Sequence, residues 1–164
     1  MVLDRQTFAE KAIITSIPSP RYILQVSENK AYVSSLYESF IYIIDVNSNK
    51  KIGAIPIPFP NTEKMLFLDG YAYITNWDTA SKSVYKLDTQ TDSLVAEIAL
   101  PGNASHDIVM DKNKMLWVLS GNKYKNKVSF LTQVNPSTNQ VLKSFSFSID
   151  SDPLRLIRNT AGDT

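Results

Sequence analysis

The chain has no cysteine among its 164 residues, which excludes disulfide bridges and thiolate metal sites and leaves the redox compartment open. Glycine is scarce, at five, and none belongs to a spaced glycine loop that would cradle a phosphate. There is a single histidine, His106, so a zinc or iron centre built on several imidazoles has no ligand set. Charge of neither sign dominates. The formal net charge of +1 provides no electrostatic footprint for nucleic acid or an acidic membrane surface. No apolar run approaches the ~18 residues of a membrane-spanning helix, and no segment carries a helical period. The first residues, MVLDRQTF, have neither the basic start nor the apolar stretch of a signal peptide, although a chain trimmed of its leader would read the same way.

What the sequence has is repetition. Asp4, Asp45, Asp88 and Asn135 stand at successive spacings of 41, 43 and 47 residues. Three positions after each comes a hydroxyl: Thr7, Ser48, Thr91 and Thr138. An Asp or Asn opening a turn accepts hydrogen bonds from amides two or three residues on, and a Ser or Thr completes the corner. Once per repeat, at a strand–turn–strand junction, these groups read as structural corners and not as catalytic or calcium-binding residues. Upstream of the corners lie three short strands with an aromatic in second place, at 31–34, 72–75 and 116–119. Before those come the apolar runs 22–26, 65–68 and 108–110, which are apolar at consecutive positions as in strands buried on both faces.

Each unit is therefore a four-strand meander, strands a to d, of a little over 40 residues. Such a meander repeated at that period is the pattern of a β-propeller blade. The segments AYVSSLYESFIYIIDVNSNKKIGAIPIP (31–58) and AYITNWDTASKSVYKLDTQTDSLVAEIALP (72–101) resemble the YVTN-type propeller repeats of bacterial surface-layer-like and secreted proteins. A third copy, LWVLSGNKYKNKVSFLTQVNPSTNQVLKSF (116–145), departs from them by a longer loop between strands b and c and by Asn135 in place of aspartate. The resemblance implies an all-β propeller of four-stranded antiparallel blades and an extracytoplasmic location, in the periplasm or at the cell surface. The chain reads as the end of a preceding blade (1–20, with 12–17 as its outer strand), three blades (21–61, 62–103 and 104–152) and the start of a following one (153–164). That amounts to a partial ring, which further blades or a second chain would close.

The strand order places the d–a and b–c loops on one face of such a ring and the tight corners on the other. Binding residues usually sit on the less repetitive face. That face is expected to carry Arg21, Tyr22, Tyr37, Lys64, Trp77, His106, Asp107 and Tyr124, with Tyr22, Lys64 and His106 near the mouth of the central channel and Arg21 and Lys64 lending it a modest cationic bias. Trp77 reads either as a ligand-facing aromatic or as padding between blades. His106 and Asp107, as neighbours on a strand, are expected to point to opposite faces, which argues against a general-base pair. No catalytic motif, metal site or cofactor site emerges. Two functions remain open. One is a non-enzymatic scaffold that binds a protein, glycan or small polar ligand on the loop-rich face. The other is a lyase or quinone-linked oxidoreductase whose catalytic groups lie largely in other blades.

Overall fold

The apolar runs fold as strands throughout. The computed structural model describes residues 1–121 and 128–162, and no helix occurs among them. A short hairpin, β1 (Val2–Leu3) and β2 (Glu10–Ala12), precedes three antiparallel four-stranded meanders. The first holds β3 (Pro20–Gln25), β4 (Lys30–Ser35), β5 (Phe40–Asp45) and β6 (Lys50–Pro56). The second holds β7 (Thr62–Leu68), β8 (Tyr71–Asn76), β9 (Ser83–Asp88) and β10 (Ser93–Ala99). The third holds β11 (Ser105–Met110), β12 (Leu116–Ser120), β13 (Phe130–Asn135) and β14 (Gln140–Ser146). The inner strand of each meander lies against the next, β3 on β7 and β7 on β11. This is part of a β-propeller ring.

The apolar core sits between the blades. Tyr32, Ile41, Ile43 and Ile55 of the first blade pack with Met65, Ile74, Tyr85 and Leu87 of the second. Tyr73, Val84 and Ile98 of the second pack with Ile108, Leu116, Val118 and Val134 of the third. A blade buries its faces only against a neighbour, which is why the unit has to repeat. The aromatic in second place on strand b reaches across each seam. The Tyr32 hydroxyl donates to Asp92, whose carboxylate also receives Lys30 Nζ at 2.7 Å. One blade further on, the Tyr73 hydroxyl donates to the Pro136 carbonyl at 3.3 Å, and Lys86 Nζ reaches the same oxygen at 2.9 Å. Burial, then the Asp92 carboxylate, pushes the Tyr32 phenol well above its ordinary range.

The corners hold as local hydrogen-bond clusters. Asp4 Oδ1 accepts the Gln6 and Thr7 amides, each at 2.9 Å. Asp45 Oδ1 accepts the Ser48 amide at 2.6 Å and its hydroxyl at 2.7 Å. Asp88 accepts Gln90 and Thr91 amides at 2.8 and 3.0 Å, and Asn135 accepts those of Ser137 and Thr138 at 2.9 and 3.4 Å. The backbone hydrogen bond from Ser48 holds the Asp45 carboxyl below its usual range, and that from Thr91 does so for Asp88. Four residues after each corner the chain turns left-handed, at Phe8, Asn49, Asp92 and Asn139 (φ 52–58°). Asn and Asp tolerate that conformation best among non-glycine residues.

Two expectations need correction. Residues 12–17 do not form an outer strand, because β2 ends at Ala12 and Ser16 takes a φ of 62°. Ile14 and Ile17 instead cover Val33, Tyr42 and Ile44 of the first blade. Nor is the first inner strand buried on both faces. Ile23 is 63% exposed, since β3 has an inner-strand neighbour on one side only.

Candidate functional site

The inner strands begin earlier than their apolar runs, with polar residues, and a hydroxyl anchors the start of two of them to the preceding blade. Thr62 Oγ1 accepts the Ser35 amide and donates to the Ser35 carbonyl, each at 3.1 Å. Ser105 Oγ accepts the Asn76 amide at 3.0 Å. Directly after these anchors the ladder slips. Pro20 pairs with Ser35 but Ile23 with Val33; Thr62 pairs with Asn76 but Met65 with Ile74; Ser105 pairs with Ser120 but Asp107 with Leu119. Every inner strand thus carries a β-bulge at its entry, a device that re-aims side chains. The bulged amides of Tyr22 and Lys64 are taken by hydroxyls on strand b, Ser34 Oγ and Thr75 Oγ1, both at 3.0 Å. In the third blade Leu119 occupies that place, and Asp107 Oδ1 accepts the Ile108 amide at 2.8 Å instead.

The bulges turn Arg21 and Tyr22, Glu63 and Lys64, and His106 and Asp107 into one cavity of about 720 Å³, whose wall Trp77 and the 154–157 segment complete. His106 and Asp107 therefore do not point to opposite faces, because the irregularity between Ser105 and Asp107 breaks the alternation. Tyr37 lies outside this mouth, 71% exposed on the loop between β4 and β5. Tyr124 falls outside the described residues. Gly121 also borders the cavity, at a φ of 100°, and a Cβ there would meet the Val128 carbonyl oxygen at 2.4 Å.

The cationic bias expected of this mouth is cancelled by ion pairs that run from blade to blade. Arg21 holds Glu63 with two hydrogen bonds of 3.0 Å. Lys64 holds Asp107, whose other oxygen accepts the Leu156 amide at 2.8 Å. The two pairs differ in weight. The Arg21 side chain is 40% exposed, so its pair belongs with surface bridges worth about 0–1 kcal/mol. Asp107 is 7% exposed, and there the loss of a partner is expensive. The His106 ring nitrogens lie 3.3 and 3.1 Å from the Ala104 and Pro153 carbonyls, and the neutral ring donates its one N–H to one of the two. Among the described residues no three His, Asp or Glu side chains gather as a metal site, and no helix is long and apolar enough to cross a membrane.

A second cleft of about 500 Å³, unforeseen in the sequence, opens toward the far end of β11 between Met110, Trp117, Leu131 and Ile157. Trp117 Nε1 donates to Asp111 Oδ2 at 2.9 Å and its ring stacks on Phe145. Burial opposes ionisation of Asp111, but hydrogen bonds from Trp117 and the Met115 and Asn113 amides hold its carboxyl below the usual range.

No protein-family model matches the chain, and no curated protein does. Solved structures do, at the level of fold. The chain is similar to a dihydro-heme d1 dehydrogenase, NirN, determined in complex with DHE, at 13% identity and a TM-score of 0.73 over 88% of this chain and 32% of that one. It is similar to the hydrazine synthase of Kuenenia stuttgartiensis at 11% identity and a TM-score of 0.65, over 73% of this chain and 34% of that one. The WD40 β-propeller domain of Doa1 matches at 13% identity and a TM-score of 0.64, over 79% of this chain and 41% of the other. The chain thus spans about a third to two fifths of the length of these structures.

Proposed function

We propose that the chain is part of a non-enzymatic propeller scaffold, of the YVTN type and extracytoplasmic, that binds a glycan or small polar ligand over the channel mouth. One observation carries this reading: three successive blades use the same bulge to turn non-repetitive polar and aromatic side chains into a single cavity. Concave sites with a few convergent polar groups are where small ligands bind.

The similarity to the dehydrogenase NirN favours a second reading, an enzyme. Against it, Asp107 is held by Lys64 and two amides, and the His106 ring N–H is spent on a backbone carbonyl. The two tryptophans permit a direct test. In a Trp117→Phe variant, Trp77 is the sole indole and lies in the mouth wall. Titration with a panel of mono- and oligosaccharides and small polar metabolites is expected to give a saturable change in Trp77 emission without consumption of the ligand. Turnover of any of them would establish the enzyme reading instead.

A further inference from the structure

Resting on the mouth as the ligand site, we infer that it contains an oxyanion subsite at Arg155 and takes a carboxylate-bearing saccharide, a uronic acid. The residue column that enters the cavity is set by position. Ile23, Met65 and Ile108 each follow the entry residue of an inner strand, Pro20, Thr62 and Ser105, by three places, and Leu156 follows Pro153 by the same interval. The segment from Pro153 onward runs against β11, with its Leu156 amide on Asp107 and Arg158 Nη1 on the Met110 carbonyl at 3.0 Å. Arg155 then occupies the place that Tyr22, Lys64 and Asp107 hold in the three blades before it, and it lines the same cavity.

Charges alternate along this arc. Arg21 is answered by Glu63 and Lys64 by Asp107. Arg155 comes next, and no carboxylate answers it among the described residues. Asp107 is held by Lys64 and by the Ile108 and Leu156 amides, and neither it nor the exposed Asp152 on the cavity rim makes an ion pair with Arg155. A guanidinium facing a cavity presents a planar fork of donors that matches a carboxylate with two hydrogen bonds. The same cavity is lined by the aromatic rings of Trp77 and Tyr22, the latter 37% exposed. Such rings offer an apolar face with a polar edge, which fits a pyranose ring carrying a carboxylate. Inorganic oxyanions share the charge but not the ring.

The Trp117→Phe protein is titrated with D-glucuronate, D-glucose and inorganic phosphate, with Arg155→Gln and, as a remote charge control on exposed β14, Lys143→Gln added in turn. Glucuronate is expected to bind at least about tenfold more tightly than either glucose or phosphate, the equivalent of one charge-assisted contact. Arg155→Gln should reduce it to the level of glucose, and Lys143→Gln should leave it unchanged. Equal binding of glucose and glucuronate, or a preference that survives Arg155→Gln, overturns the subsite and leaves the mouth as a ligand site. Phosphate binding as tightly as glucuronate overturns the saccharide. No response of Trp77 to any of the three overturns the inference, and the wider ligand reading then stands or falls on the broader panel.

Discussion

Replacing Asp107 by alanine is expected to lower the unfolding free energy by about 3 kcal/mol or more, the range for removing one partner of a buried ion pair. The loss has three parts. Lys64 is left with its ammonium inside the mouth, the Ile108 amide loses the acceptor that fills the bulge, and the Leu156 amide loses its tie to β11. Because the Lys64 side chain keeps 30% exposure, water relieves part of its charge, which places the expected value toward the lower end. Adding Lys64→Met should recover some of the loss, since the stranded cation is then gone. Glu63→Ala is the contrast: its partner Arg21 is accessible to solvent, so about 1 kcal/mol or less is expected. Urea unfolding of the four proteins checks this. Equal effects at Glu63 and Asp107 would contradict the ranking of the two pairs.

Truncating Tyr73 to alanine should cost about 3–5 kcal/mol, the range for deleting a fully buried aromatic side chain. Its ring is 2% exposed and sits in the seam between the second and third blades, among Val84, Ile98, Ile108, Leu116 and Val134. Burial pushes its phenol up to about 12. Tyr73→Phe keeps the ring and loses only the hydrogen bond to the Pro136 carbonyl, so about 1 kcal/mol is expected. If thermal unfolding showed the alanine variant losing no more than the phenylalanine variant, the core would not lie where the seams place it.

The blade was legible because its outer three strands advertise themselves. The aromatic in second place and the Asp and hydroxyl of the corner recur wherever a seam has to be filled and a turn closed. The entry of each inner strand was not legible in the same way. Thr62-Glu63-Lys64 and Ser105-His106-Asp107 are polar, and a period-2 reading excludes them from a strand and then points His106 and Asp107 apart. A bulge is a property of register between two strands, which neither strand carries alone. One signal was nevertheless present. Arg21 and Glu63 lie 42 residues apart and Lys64 and Asp107 lie 43 apart, about one repeat each, so charges of opposite sign at one period mark neighbours around the ring. The left-handed residue four places after each corner is a second such mark, Asn or Asp in three cases and Phe8 in the fourth. The cleft at Trp117 left no local trace, because its walls come from β11, β12, β13 and the segment after them.

The mouth is the proposed place where a ligand meets this fold. Backbone amide mapping of isotopically labelled protein, during titration with the saccharide that most strongly changes Trp77 emission, tests it most directly. Shifts confined to Arg21–Tyr22, Glu63–Lys64, Trp77 and His106–Asp107, together with Leu154–Ile157, are the predicted result. Shifts gathered on the opposite face, around Asn47, Asp69 and Asp111, with the mouth unmoved, would contradict it.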